Sequence, residues 1–311
     1  MAVFGIDISE FQSDINLKKA RQEGVKFAIL RAGFTGYSNG VSKAKDSSFE
    51  SHYKNAKANN IAVGAYWFSR ATTYQKGKSE AEYMYNNCLK GKTFEYPIAI
   101  DVEDSYYQAK ASKSAVTEAI KGFCEYLEAK GYYVAIYANS NWMNNHMDLA
   151  KLTRYDKWIA SWTKKEPSSP NHGIWQFGGS TNEIRSNKIA GIVVDQDYAY
   201  KDYPKIIKEK GLNGFKKEQK EDYKPGDYKT LDIMNVREGP GTNYRVKKVK
   251  ELTKDGKKNA TSKNQNANAC YKKGTIFTAL KIEKKDKDIW AKTPSGYVCI
   301  KQSNTEYCKK L

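Results

Sequence analysis

The chain lacks most of the features that would assign its class at a glance. No apolar run approaches the roughly 20 residues a membrane-spanning helix needs, which excludes a helical membrane protein. Cysteine is sparse. Cys88, Cys124, Cys270, Cys299 and Cys308 form no C-x-x-C pair, and an odd, scattered set is not a disulfide framework. Reduced and mostly buried thiols are expected, with a disulfide among the last three left open. Histidine is scarcer still. His52, His146 and His172 show no H-E-x-x-H or other zinc spacing, so no metal is expected. There is no G-x-G-x-x-G, no Walker P-loop and no G-x-S-x-G, so no cofactor is expected either. Collagen and coiled-coil repeats are absent. The start, Met1-Ala2-Val3-Phe4-Gly5, has neither the basic nor the long apolar region of a secretory signal.

Positive charge is abundant. Lys and Arg number 53 against 35 Asp and Glu, a net charge of +18 over 311 residues. Hydrophobic residues at 40% and aromatics at 13% supply a sizeable core, which excludes wholesale disorder. The length suggests about two domains. The charge calls for a polyanionic partner: nucleic acid, an anionic membrane or an anionic cell wall. It is unevenly spread. Residues 215–311 hold 24 basic and 12 acidic side chains, net +12, whereas residues 1–214 hold 29 and 23, net +6.

Short apolar runs recur at 3–9, 27–33, 63–69, 97–103, 133–138, 157–162, 174–178 and 192–198. Their near-continuous apolar composition predicts strands buried on both faces. Helical patterns follow the first five, at 14–23 with Asp14 as a cap, 46–60, 76–89, 112–130 and 141–152. The fourth places Val116, Ile120, Phe123, Cys124 and Leu127 on one stripe and stops at Gly131. After the sixth and seventh runs the pattern fails, with Pro167 and Pro170 in one gap. The predicted class is α/β: an incomplete TIM-like (β/α)5(β)3 barrel over residues 1–214. Residues 215–227, with Pro225-Gly226, read as a linker. Residues 228–311 read as a small all-β domain, with runs at 234–237, 245–252, 275–281, 289–292 and 296–300. The polar stretch 253–273 reads as a long exposed loop.

In a barrel the reactive groups sit at the C-terminal ends of strands. The acids fall there: Asp7 on the first run, Asp101 and Glu103 on the fourth, Asp195 and Asp197 on the eighth. Alternation puts Asp101 with Glu103, and Asp195 with Asp197, on common faces. Strands one and eight adjoin in a closed barrel, so Asp7 and Asp195 are expected side by side. Clustered carboxylates suit glycoside hydrolysis, in which one acid keeps its proton because its neighbours raise its pKa. Glu103 is the candidate acid. Cys124, on a helix stripe, is assigned to the core rather than to catalysis. Aromatics end the same strands. Tyr66 and Trp67, Tyr137, Trp158 and Trp162, and Trp175 and Phe177 offer flat apolar faces to sugar rings.

The ordered series Gly5-Ile6-Asp7-Ile8-Ser9 with Gln12, Gly64-Ala65-Tyr66-Trp67-Phe68, Ile100-Asp101-Val102-Glu103, Trp158-Ile159-Ala160, Trp175-Gln176-Phe177 and Val194-Asp195-Gln196-Asp197 resembles glycoside hydrolase family 25, the Chalaropsis-type lysozymes or N-acetylmuramidases. The resemblance spans residues 3–210. It implies cleavage of the β-1,4 bond from N-acetylmuramic acid to N-acetylglucosamine in peptidoglycan. It implies Glu103 as general acid and Asp101 as the partner that orients the N-acetyl group or water. Asp7 and Asp195 become flanking acids. Tyr66, Asp197, Tyr137, Trp158, Gln176 and Trp67 become substrate-binding. The chain departs from the family at Trp67, where His is common, and at Glu10-Phe11.

Met234-Asn235-Val236-Arg237-Glu238-Gly239-Pro240-Gly241-Thr242-Asn243-Tyr244, followed by Trp290 and Gly296-Tyr297-Val298, resembles a bacterial SH3 module that binds cell walls. Together the two resemblances imply an endolysin or autolysin. Such a protein is made in the cytoplasm without a signal, is released through a holin or by host lysis, and acts as a monomer. Its partners would be peptidoglycan and anionic wall polymers, not nucleic acid or membrane. The alternative is a non-catalytic wall-binding protein on a hydrolase fold; the acids on strands one, four and eight argue against it. A nucleic-acid binder would need a basic and aromatic reading surface, whereas here the aromatics coincide with acids.

Overall fold

A computed structural model describes residues 2–36, 38–168, 170–217, 223–303 and 305–311. Two units separate, Met1–Glu218 and Gln219–Leu311. Of the expected linker 215–227, residues 218–222 lie outside the described residues, and the first strand of the second unit already begins at Gly226.

The first unit contains β1 (Val3–Ile8), β2 (Phe27–Thr35), β3 (Lys43–Lys45), β4 (Ala62–Phe68), β5 (Ile98–Asp101), β6 (Val134–Asn139), β7 (Asp156–Ala160), β8 (Ile174–Gly178), β9 (Lys188–Ile189), β10 (Ile192–Val193) and β11 (Asp195–Ala199). Its helices are α1 (Leu17–Gln22), α2 (Phe49–Ala58), α3 (Tyr74–Met84), α4 (Lys113–Ala129), α5 (Ser140–Asn145) and α6 (Tyr203–Lys210). Eight strands close on themselves in the order β1-β11-β8-β7-β6-β5-β4-β2 and back to β1, with β3 hung on β2. Helices follow the first five of these strands, and none separates β7, β8 and β11.

The barrel is not all-parallel. β11 runs antiparallel to both β1 and β8. This corrects the reason for placing its acids at the mouth. Asp195 begins the strand rather than ending it. Because the strand is reversed, its start lies level with the C-terminal ends of the others, and Asp195 pairs in register with Asp7.

Helix boundaries moved where local hydrogen bonding decided them. Residues 10–12 form a 3-10 turn closed by a Ser9–Gln12 capping box. α1 therefore starts only at Leu17, capped by Asn16 rather than Asp14, with Asn16 Oδ1 accepting from the Lys19 amide at 3.0 Å. α6 had no counterpart in the sequence reading. Its signals are ordinary: Asp202 caps it, Pro204 sits in the first turn and Gly211 ends it at φ +65°.

Alternation sorts the barrel residues into two layers. Ile6, Leu30, Val63, Trp67, Ile100, Ile136, Ile159 and Phe177 face the helices in one buried cluster. Phe27, Ile29, Ala99, Ala135, Trp158, Ile174 and Ala199 belong to a second cluster that fills the inside. The Phe27 ring lies where a Cβ on Gly5 would approach within 2.4 Å, so the inward position two residues before Asp7 must be glycine.

In the second unit, β12 (Gly226–Thr230), β15 (Ile276–Ala279) and β20 (Cys308–Lys310) form one sheet. β13 (Met234–Asn235) pairs with β14 (Cys270–Tyr271), and β16 (Lys281–Lys285), β17 (Asp288–Thr293), β18 (Gly296–Gln302) and β19 (Thr305–Glu306) form a meander. Tyr228, Val236, Trp290, Val298 and Ile300 anchor the core. The stretch 253–273 is not an exposed loop. Thr253 caps the short helix α7 (Lys254–Lys258), Ala260, Ala269 and Tyr271 are buried, and β14 completes a pairing with β13. Small apolar residues spaced among Lys and Asn hid this burial in the sequence. The run 245–252 forms a 3-10 turn at Val249–Glu251 with single bridges, not a strand. All five cysteines are free thiols. Among the described residues, no helix is long and apolar enough to cross a membrane.

Candidate active site

The inward positions nearest the barrel mouth are Asp7 on β1, Arg31 on β2, Tyr66 on β4, Asp101 on β5, Tyr137 on β6, Trp158 on β7, Gln176 on β8 and Asp197 on β11, with Asp195 above it. Period-two alternation in eight short strands delivers them to one place. Glu103 lies two residues beyond the end of β5 and is half-buried.

Gln176 organises the floor. Its Oε1 accepts from the Tyr137 hydroxyl and the Trp162 indole, each at 3.0 Å, and its Nε2 donates to Asp7 Oδ2 at 2.9 Å. Trp158 Nε1 donates to Asp197 Oδ1 at 2.7 Å. Tyr66 meets the Trp158 ring edge-on at 5.9 Å, and Tyr137 packs on it at 4.5 Å. The other oxygen of Asp197 is buried with no hydrogen-bond partner.

Charge accumulates here with little relief. Burial raises Asp7, Asp101, Glu103 and Asp197, and pushes Asp195 up to about 6. Neighbouring acids add to this: Asp197 and Asp195 act on Asp7, Glu103 on Asp101, and Asp195 on Glu103. Arg31 and Arg70 oppose the rise at Asp101. Tyr66 and Tyr137 are raised by burial and by the same acids, so their hydroxyls remain protonated. A protonated Glu103 beside ionisable partners can deliver a proton to a leaving oxygen. Asp101 Oδ1 is buried with no hydrogen-bond partner.

The structure brings Asp7, Asp101, Glu103, Asp195, Tyr66, Tyr137, Trp158, Gln176 and Asp197 together. It divides them by access. Trp158, Gln176 and Asp197 are essentially fully buried and hold other side chains rather than reaching a ligand. Trp67 does not join them. It is wholly buried on the outer face of β4, donates to Thr35 Oγ1 at 3.2 Å and packs on Tyr83 of α3. Alternation with the inward Tyr66 requires this, which corrects Trp67 as a substrate-binding residue. Trp175 and Phe177 face outward for the same reason.

Two contributors were missed. Gly179, just past β8, has Asp195 Oδ1 within 2.0 Å and Trp162 within 2.6 Å of where a Cβ would be, so only glycine lets that acid and that ring close in. Its signal was the Gly178-Gly179 pair at a strand end. Arg31 interrupts the apolar second run, and a charge at an inward position is a signal in itself. The three histidines lie elsewhere: His52 faces Gln12, His146 stacks on Trp142 and His172 contacts Pro170. Among the described residues, no group of three or more His, Cys, Asp or Glu is placed to hold a metal ion.

The profile of glycosyl hydrolases family 25 matches residues 6–185. The chain is 26% identical over 164 residues to the autolytic lysozyme of Clostridium acetobutylicum, covering 53% of this chain and 46% of that protein. It is 27% identical over 210 residues to lysozyme M1 of Streptomyces globisporus, covering 61% and 68%. The first relative is thus matched over about half its length and the second over about two thirds. Among solved structures, the CTP1L endolysin is similar at 25% identity and a TM-score of 0.55, over 66% of this chain and 69% of that one.

Proposed function

Because the chain belongs to glycosyl hydrolases family 25, we propose that its barrel is a lysozyme of the N-acetylmuramidase type, hydrolysing the β-1,4 bond from N-acetylmuramic acid to N-acetylglucosamine in peptidoglycan. The observation that carries the reading is the convergence of five carboxyl groups on one mouth, each with its pKa raised by burial. Glu103, half-buried and raised, is the general acid. Asp101 turns its unpartnered oxygen to the N-acetyl group or to water. Asp195 and Asp7 flank the developing positive charge on the sugar ring, and Tyr66 contacts substrate. Asp197, Gln176, Tyr137 and Trp158 hold this set in place. A protein that only bound walls would gain nothing from burying acids that oppose one another.

Residues 228–311 serve in this reading as an SH3-like wall-binding module, whose surplus of lysine favours anionic wall polymers. An autolysin or endolysin acting on the cell wall fits the names of the relatives. The test is end-group analysis of digested peptidoglycan. New muramic acid reducing ends support the assignment. New glucosamine ends would make it a different glycosidase, and no new ends would leave only binding.

A further inference from the structure

Glu103 stands at the mouth without a tether. It lies between Asp101, the last residue of β5, and the buried Asp104, and among the described residues no group hydrogen-bonds its carboxyl. A general acid must nevertheless sit within hydrogen-bond reach of the oxygen it protonates. Its place is therefore set by its neighbours in the chain. On one side the Ser69 amide donates to the Asp101 carbonyl at 3.0 Å. On the other, Asp104 is gripped at three points. Its Oδ1 accepts from Arg70 Nε at 2.9 Å, its Oδ2 accepts from the Gln108 amide at 3.2 Å, and its own amide donates to Gln108 Oε1 at 3.2 Å. Gln108 reaches back in turn to the segment after β4. Its Nε2 donates to Ser69 Oγ at 3.3 Å and to the Ala71 carbonyl at 3.2 Å.

Behind that segment lies a buried carboxyl, Glu80 on α3. Its Oε2 accepts from Ser69 Oγ at 2.6 Å, and its Oε1 from Thr35 Oγ1 at 2.7 Å and the Arg70 amide at 3.0 Å. The direction of each bond is fixed. Trp67 Nε1 can only donate, and it donates to Thr35 Oγ1, so the Thr35 proton points to Glu80. The Asp104 amide can only donate and the Ala71 carbonyl can only accept. That settles the Gln108 side chain, with its oxygen to Asp104 and its nitrogen to Ala71 and Ser69. Ser69 Oγ thus receives Gln108 Nε2 and, at 3.2 Å, the Ala71 amide, and its own proton also goes to Glu80. A protonated Glu80 would have to donate, yet each of these neighbours is already donating to it. Burial raises its pKa, while the Ser69, Thr35 and Arg70 donors and the Lys43 charge oppose the rise.

An amide cannot take over this role. Gln at position 80 keeps the shape, but its Nε2 would face Ser69 Oγ, which already takes two N–H donors. One link has to give way. The longest is the one from Gln108 to Ser69, which leads on to Asp104 and the acid beside it.

We infer that Glu80 is a positioning residue for the general acid, acting through Ser69, Gln108 and Asp104 to hold Glu103 at the bond that is cut. The inference rests on the hydrolase reading above. The experiment measures kcat and KM against pH on glycan strands for wild type, Glu80→Gln, Ser69→Ala and the double variant, with thermal unfolding as the check on folding. Each single variant should lower kcat about tenfold with KM unchanged. The double variant should lose no more than either, because the two groups act in one chain. The alkaline limb of kcat should also move to lower pH. Glu103 is half-buried with Asp101, Asp195 and Tyr137 around it, and a loosened Glu103 gains water and releases its proton more readily. A loss confined to KM or to unfolding, with the limb in place, would make the network structural only and overturn the inference. Unchanged kcat in both single variants would overturn it too, while leaving the hydrolase reading intact. A wild type that releases no muramic acid reducing ends would instead remove the hydrolase reading itself, and the positioning role with it.

Discussion

The two units handle charge in opposite ways. The barrel, net +6 over residues 1–214, concentrates Asp7, Asp101, Glu103, Asp195 and Asp197 in one half-dry mouth, where burial lifts every one of them. The second unit, net +11 over residues 219–311, spreads its lysines over the surface, and its acid shifts run the other way. Glu251, held by Arg245 and the Lys248 amide, falls to about 2. Buried like charges are strong, few and destabilising. Exposed charges are weak singly and act as a field. In the proposed reading, reactivity belongs to single residues of the barrel, and wall affinity to the second unit as a whole.

The sharpest way to break this contrast is at Asp197, a buried group that touches no substrate. Asp197→Ala removes the acceptor of the Trp158 indole and should lower kcat about a hundredfold through misplacement. Asp197→Asn should keep most of the activity, because its carbonyl still accepts from Trp158. Steady-state kinetics on glycan strands separates the two. An Asn variant as damaged as the Ala variant would mean that Asp197 must itself titrate.

A smaller effect tests the cost of the cluster. Asp195 titrates at about 6 in the folded protein, against roughly 3.9 for a free Asp. The folded state holds that proton more tightly than the unfolded state. The associated stability is complete below about pH 4 and is lost as the pH rises through about 6. Asp195→Asn should therefore be more stable than wild type by about 3 kcal/mol near pH 8 and no more stable near pH 3.5, measured by denaturant titration. A pH-independent difference would contradict the electrostatic origin.

The smallest effect belongs to the second unit. Exposed Lys284→Gln should change retention on purified walls by less than about twofold, whereas added salt should weaken retention steadily. A single lysine with a large effect would mean a built site in place of a field.

Much of the mouth was legible in the sequence because alternation is local. Asp7 and Asp101 follow from where short apolar runs stop, whereas Asp195 reaches the mouth only because its strand is reversed. The same rule should have removed Trp67, since Tyr66 beside it faces inward. What was not legible depended on pairing across the barrel. The reversal of β11, the approach of Asp195 to Gly179 and the stacking of Arg31 between Phe11 and Phe34 join residues far apart in the chain. In the second unit the stretch 253–273 was misread because its polar composition masked the few small residues, Ala260 and Ala269, that carry the burial.

The account turns on Glu103 cutting while the second unit holds. Glu103→Gln, incubated with purified walls, reads both in one tube. The account predicts that the variant pellets with walls as wild type does and releases almost no muramic acid reducing ends, a loss of at least about a thousandfold. Release at the wild-type rate by a folded, wall-bound variant would contradict it.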